Sequence, residues 1–105
     1  MREIKCKIWC PERKEMSSPT AFGAEDLVLH GDDVLLQFTG LFDKNGKEIY
    51  DGDIVRNFNG VFEVVFEFGS FVVFENGKRF DLLLSWHREL EIIGNIYKNS
   101  ELVNP

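Results

Sequence analysis

Val61-Phe62-Glu63-Val64-Val65-Phe66-Glu67-Phe68 decides the fold class. Phe62, Val64, Phe66 and Phe68 fall on one face, and Val61, Glu63, Val65 and Glu67 on the other. A period of two is the repeat of a β-strand, whose successive side chains point to opposite sides. Phe80, Leu82, Leu84 and Trp86 repeat it, with Arg79, Asp81 and Ser85 opposed. The alternation assigns both apolar sets to a core.

Outward from this stretch, turn signals recur at short intervals. Asn45-Gly46, Asn59-Gly60 and Asn76-Gly77 are dipeptides favoured in type I′ hairpin turns, whose central residues need positive φ. Gly69-Ser70 and Asp51-Gly52-Asp53 mark further breaks. Strands are predicted over 2–9, 27–30, 34–42, 47–50, 54–58, 61–68, 71–75, 79–85 and 90–97. Many short strands with regular turns make a mainly β chain. Met16–Asp26, with Ser17, Ser18, Pro19 and Gly23 and no periodicity, reads as a loop or linker. Pro11 ends the first strand, Ser85–Glu89 forms a short turn of helix, and the end of the chain frays.

Residues 51–98 read as one unit: a small SH3-like β-barrel, closed so that no strand edge is left exposed. Residues 1–50 form a β-rich N-terminal part, and 99–105 a tail. Seven of the ten phenylalanines lie between Phe58 and Phe80, and the interior of a small barrel accounts for most of them.

The 105 residues carry 44% hydrophobic and 29% charged side chains, which excludes a disordered chain or a disulfide scaffold. No apolar run reaches the roughly 18 residues of a membrane span, and no signal-peptide core follows Met1. A cytoplasmic location in a bacterial cell, with two reduced thiols, is expected. The net charge of −6 disfavours binding to a phosphate backbone. Residues 1–16 alone are net positive, with five basic and three acidic side chains.

Three blocks of the chain resemble a known family. The first is Met1-Arg2-Glu3-Ile4-Lys5 with Trp9; the second runs from Gln37-Phe38-Thr39-Gly40-Leu41 through Asp43-Lys44-Asn45-Gly46-Lys47-Glu48-Ile49-Tyr50 to Gly52-Asp53-Ile54-Val55; the third is Leu90-Glu91-Ile92-Ile93-Gly94-Asn95-Ile96-Tyr97. Together they resemble the YopX family of small bacteriophage and prophage proteins. The resemblance implies a phage or prophage origin, a mostly β fold with a C-terminal barrel, and a homo-oligomer. It implies no biochemical activity. Cys6 and Cys10 depart from the family pattern, and residues 11–35 match it poorly.

Chemistry-bearing constellations are sparse. Cys6 and Cys10 share a strand face about 13 Å apart, too far for a disulfide or a common metal, and His30 and His87 lie 57 positions apart. Both cysteines are expected to be structural. Asp43, Glu48, Asp51 and Asp53 crowd together without EF-hand spacing; Asp43 and Asp51 are read as turn residues. No nucleophile elbow and no phosphate loop is present. Catalytic residues, metal and cofactor are therefore all expected to be absent. Four residues remain as contact candidates. Trp86, His87 and Arg88 form a loop at the end of the barrel, with Trp86 assigned to the core over contact. Trp9, on the face of Lys5 and Lys7, is assigned to packing against the rest of the protein or a neighbouring subunit.

The function expected is non-enzymatic, exercised through contacts with a host or phage protein or through homo-oligomeric assembly. Single-stranded nucleic-acid binding by a small β-barrel is the alternative, and a metal-dependent hydrolase the second alternative.

Overall fold

A computed structural model describes residues 3–23, 29 and 31–103, and the fold is mainly β. The chain divides into two compact units, Met1–Phe38 and Thr39–Pro105.

In the first unit the central strand is β1 (Glu3–Cys10). It is flanked on one side by β2 (Glu15–Met16) and β3 (Thr20–Gly23), and on the other by the start of β4 (Val34–Phe42). All pairings are antiparallel, with Trp9 opposite Met16, Cys6 opposite Thr20, and Ile8 opposite Leu35. Met16–Asp26 is thus not simply a loop. Ser17 holds its place beside β1: its N–H donates to Ile8 O (2.9 Å), and Ile8 N–H donates to its Oγ (2.8 Å). Pro19, which has no N–H, falls between β2 and β3. Backbone pairing needs no apolar alternation, which is why the pattern did not disclose these strands. The strand predicted over 27–30 falls largely outside the described residues, and Leu29 is not in a strand. Cys6, Trp9, Cys10 and Leu36 are buried.

The second unit takes the end of β4 and adds β5 (Glu48–Tyr50), β6 (Asp53–Asn57), β7 (Gly60–Glu67), β8 (Ser70–Glu75) and β9 (Lys78–Leu82). A helical turn α1 (Leu83–Trp86), a 3-10 turn (His87–Glu89), β10 (Glu91–Asn95) and a 3-10 turn (Ser100–Leu102) follow. The last turn replaces the frayed tail expected there as far as Val103. Five strands form a curled antiparallel sheet in the order β10-β6-β7-β8-β9. Among the described residues β9 and β10 are the end strands of this sheet, which curls as part of a half-barrel.

Two hairpins use two-residue turns with both central residues at positive φ. One is Asn76-Gly77 (φ 52° and 77°), as expected; the other is Phe68-Gly69 (φ 50° and 84°). The β6–β7 turn departs from expectation. Asn57 pairs with Gly60, so Phe58 and Asn59 are the central residues, and Gly60 opens β7. At Asn45-Gly46 only Gly46 has positive φ (80°), after a turn closed by Gly46 N–H to Asp43 O (3.0 Å).

The core of this unit is Ile49, Val55, Phe62, Val64, Val73, Leu83 and Leu90, with Leu41, Phe71, Trp86 and Ile92 packed against it. Phe62 and Val64 face inward as their period predicts. Phe66 and Phe68 do not: they are 51% and 90% exposed, because the strand runs off the core and ends in the turn. The series Phe80, Leu82, Leu84 also fails as a core face, since these side chains are 43–67% exposed. A bulge between β8 and β9 and the start of α1 break the period, and Leu83 is buried instead. The phenylalanine cluster is therefore only partly a core.

Candidate functional site

Two buried carboxylates of the second unit, Asp43 and Asp53, hold its turns. Asp43 is buried; its Oδ1 accepts the N–H groups of Asn45 (2.8 Å) and Lys47 (2.9 Å), and its Oδ2 accepts that of Ile92 (3.0 Å). Burial works to raise its pKa, but these three donors and the nearby Lys47 charge hold the carboxyl below its ordinary value. Lys44 N–H donates to Leu90 O (2.8 Å), so one short turn is tied to the entry of β10 at two points. Asp53, also buried, accepts Tyr50 N–H (2.8 Å), and Glu48 accepts the Tyr50 hydroxyl (3.1 Å).

Asp51 behaves differently. It is half-buried, and desolvation pushes its carboxyl up against one opposing hydrogen bond from Gly52. Burial, then the Asp51 charge, raises Glu63 on β7; burial, then Asp51 and Glu63, raises Tyr97. The Tyr97 ring lies over Gly52, where a Cβ would meet its Cε2 at 2.9 Å. The sequence kept Asp51 and Glu63 apart; the pairing of Ile54 with Glu63, just beyond the Asp51-Gly52 turn, brings them within electrostatic reach. No group of three or more His, Cys, Asp or Glu among the described residues is placed to hold a metal ion. Burial pushes the Cys6 thiol up, away from the thiolate a nucleophile needs; both cysteines are free and buried.

Of the four contact candidates, Trp9 is buried on β1 in the first unit. The other three are consecutive but have different settings. Trp86 is half-buried; its Nε1–H donates to Asp81 Oδ2 (2.7 Å), and its ring packs 5.6 Å from that of Phe80. Phe80 in turn lies 5.1 Å from Phe62. His87 Nδ1 is 2.7 Å from Phe42 O; a carbonyl only accepts, so this ring nitrogen carries the proton. Arg88 is exposed.

The sequence pointed to this loop, but the larger feature lies beside it. Thr39, Leu41, Ser70, Phe71, Leu82 and Leu84 line an open groove of about 270 Å³. Phe71 meets Phe66 edge-on at 4.9 Å. Phe68 projects from the turn immediately before Ser70. Its backbone stands in the left-handed region, unusual for a bulky residue. The signal available in the sequence was Phe68-Gly69 in the place where Asn76-Gly77 carries asparagine. On the neighbouring strands Arg79 Nε pairs with Glu67 Oε1 at 3.0 Å, and Asp81 accepts its hydrogen bond from Trp86 while keeping its charge. The arrangement offers an apolar contact surface and no convergent reactive groups.

Among the described residues no helix is long and apolar enough to cross a membrane. No curated protein matches this chain. Among solved structures it is similar to the crystal structure of protein EF1440 from Enterococcus faecalis. That match has 24% identity and a TM-score of 0.65, over 95% of this chain and 97% of that one; at this identity the likeness shows the fold. The YopX protein family model matches residues 3–104. The chain therefore belongs to the YopX family.

Proposed function

We propose that this is a phage- or prophage-encoded protein of the bacterial cytoplasm that acts without catalysis, through protein contacts and above all homo-oligomeric assembly. The observation that carries the reading is the apolar groove and its neighbouring exposed phenylalanines on the second unit. The largest apolar patch on a protein surface is often a contact site. The phage origin is supported by the family resemblance, and the cytoplasmic setting by two buried, unbridged thiols. The second unit is read as an SH3-like half-barrel, a reading supported by the last strand returning beside the first of its sheet.

Light scattering over micromolar concentrations tests the assembly reading. One defined oligomer is expected; a strictly monomeric mass contradicts it. Titration into a labelled single-stranded oligonucleotide at low salt separates the alternative. No change in anisotropy is expected, and salt-sensitive binding would favour the nucleic-acid reading instead.

A further inference from the structure

We infer that the groove between β4, β8 and α1, together with Phe68, is a two-fold interface that receives the same surface of a second copy of this chain. The inference rests on the assembly reading and gives it a place on the molecule.

Phe68 is the starting point. A phenylalanine in the left-handed region costs of the order of 1–3 kcal/mol in backbone strain. Its side chain is 90% exposed, so no core burial offsets that cost. The same unit solves the same turn with Asn76-Gly77, in which asparagine tolerates positive φ. Phe68 is thus an exposed apolar knob whose burial inside its own chain offsets none of that cost.

The hole lies beside the knob. Ser70 and Phe71 begin the groove, and Leu41, Leu82 and Leu84 complete its apolar wall. Its volume of about 270 Å³ is enough for a phenyl ring. A surface carrying both knob and hole is self-complementary. A two-fold axis places each Phe68 in the other copy's groove, the isologous arrangement of the commonest oligomers.

Area and charge agree with a second copy as the occupant. Phe66, Phe68, Leu82 and Leu84 are 51%, 90%, 43% and 67% exposed. With an aromatic side chain offering roughly 200 Å², these four leave on the order of 450 Å² open. A symmetric contact covers that twice, about 900 Å², and a polar rim brings it past the roughly 1,000 Å² of a specific interface. Each chain carries a net charge of −6, so a contact between copies is least opposed where the surface carries no charge. The groove lining has no ionisable residue, and Glu67 is ion-paired with Arg79.

The test is sedimentation equilibrium of the full chain from about 2 to 200 μM, on wild type, Phe68→Asn, Leu84→Glu and Phe58→Asn. Phe58 is the matched control. It is 89% exposed in the turn at the other end of β7, about 25 Å away at a strand's rise per residue. Phe68→Asn relieves strain, so a preserved or raised melting temperature separates lost association from lost folding. A wild-type dimer is expected, with the dissociation constant raised at least about tenfold by Phe68→Asn and by Leu84→Glu, and left within about twofold by Phe58→Asn. If the wild type associates and neither Phe68→Asn nor Leu84→Glu weakens it, the surface is wrong while assembly stands. If the wild type is monomeric throughout, both fall.

Discussion

Replacing Asp43 by alanine tests the account of what holds the second unit together. The carboxylate is 5% exposed and accepts three backbone N–H groups, from Asn45, Lys47 and Ile92. Alanine leaves those donors without their acceptor; Asn45 and Lys47 are exposed, so water replaces part of what is lost there, while Ile92 is half-buried. A single buried unsatisfied donor costs about 1–3 kcal/mol, and losses within one network do not add fully. The deletion is therefore expected to cost about 2–3 kcal/mol, a large part of the roughly 5–15 kcal/mol typical of a domain. Asp43→Asn should cost less. Its one carbonyl oxygen can keep the Asn45 and Lys47 bonds, but its amide then faces the Ile92 N–H, donor against donor. Urea unfolding followed by circular dichroism gives the total, and amide exchange at Ile92 gives the local effect. The expected order is wild type, then Asn, then Ala, with Ile92 exchange accelerated in both variants. A loss below about 1 kcal/mol for Asp43→Ala, with Ile92 still protected, would refute the reasoning.

Acid should act on the same link. The Asp43 pKa is lowered on folding, so its contribution is complete above the unfolded value near 3.9 and is lost as pH falls through the lower folded value. Glu63 has the opposite sign: its raised pKa means that the ionised form weakens the fold. Glu63→Gln is expected to raise the melting temperature at pH 7 by the equivalent of up to about 1 kcal/mol, the gain vanishing below about pH 4; no gain at pH 7 contradicts the reading that burial, with Asp51 nearby, disfavours the ionised Glu63. Gly52→Ala meets two obstacles, a φ of +86° and the Tyr97 ring at 2.9 Å. It should cost about 1–3 kcal/mol in urea unfolding, and an unchanged midpoint would mean that Tyr97 does not lie over Gly52.

The architecture was readable where side chains had to alternate. Phe62 and Val64 face the core because β7 lies across its middle, and their period says so. Turn chemistry located Asn76-Gly77 and the local part of the Asp43 role, its bonds to Asn45 and Lys47, whereas its bond to Ile92 is non-local. What escaped was non-local or broke the period. β2 and β3 are held by backbone pairing to β1, which leaves no apolar signature. Phe80, Leu82 and Leu84 keep an alternating spacing across a bulge and a helical turn, so the faces they occupy depend on geometry that a period of two does not contain. Of the proposed contact surface the sequence indicated only a neighbouring segment, Trp86-His87-Arg88, which follows Leu84 in the chain. Phe68 looked like core because a strained, exposed aromatic and a buried one have the same letter. The proximity of Asp51, Glu63 and Tyr97 depends on β6–β7 register and on the return of the chain after β10, and neither can be read from spacing.

The most direct measurement is a dilution series of two-dimensional amide NMR spectra of the full chain. If the groove and Phe68 meet a second copy, the amides of Phe68, Gly69, Ser70, Phe71 and Leu84 will shift together with concentration, following one dissociation constant, while Phe58 and Asn59 stay fixed. Spectra that do not change with concentration, or shifts centred on Phe58, would contradict the claim that this surface is where the protein acts.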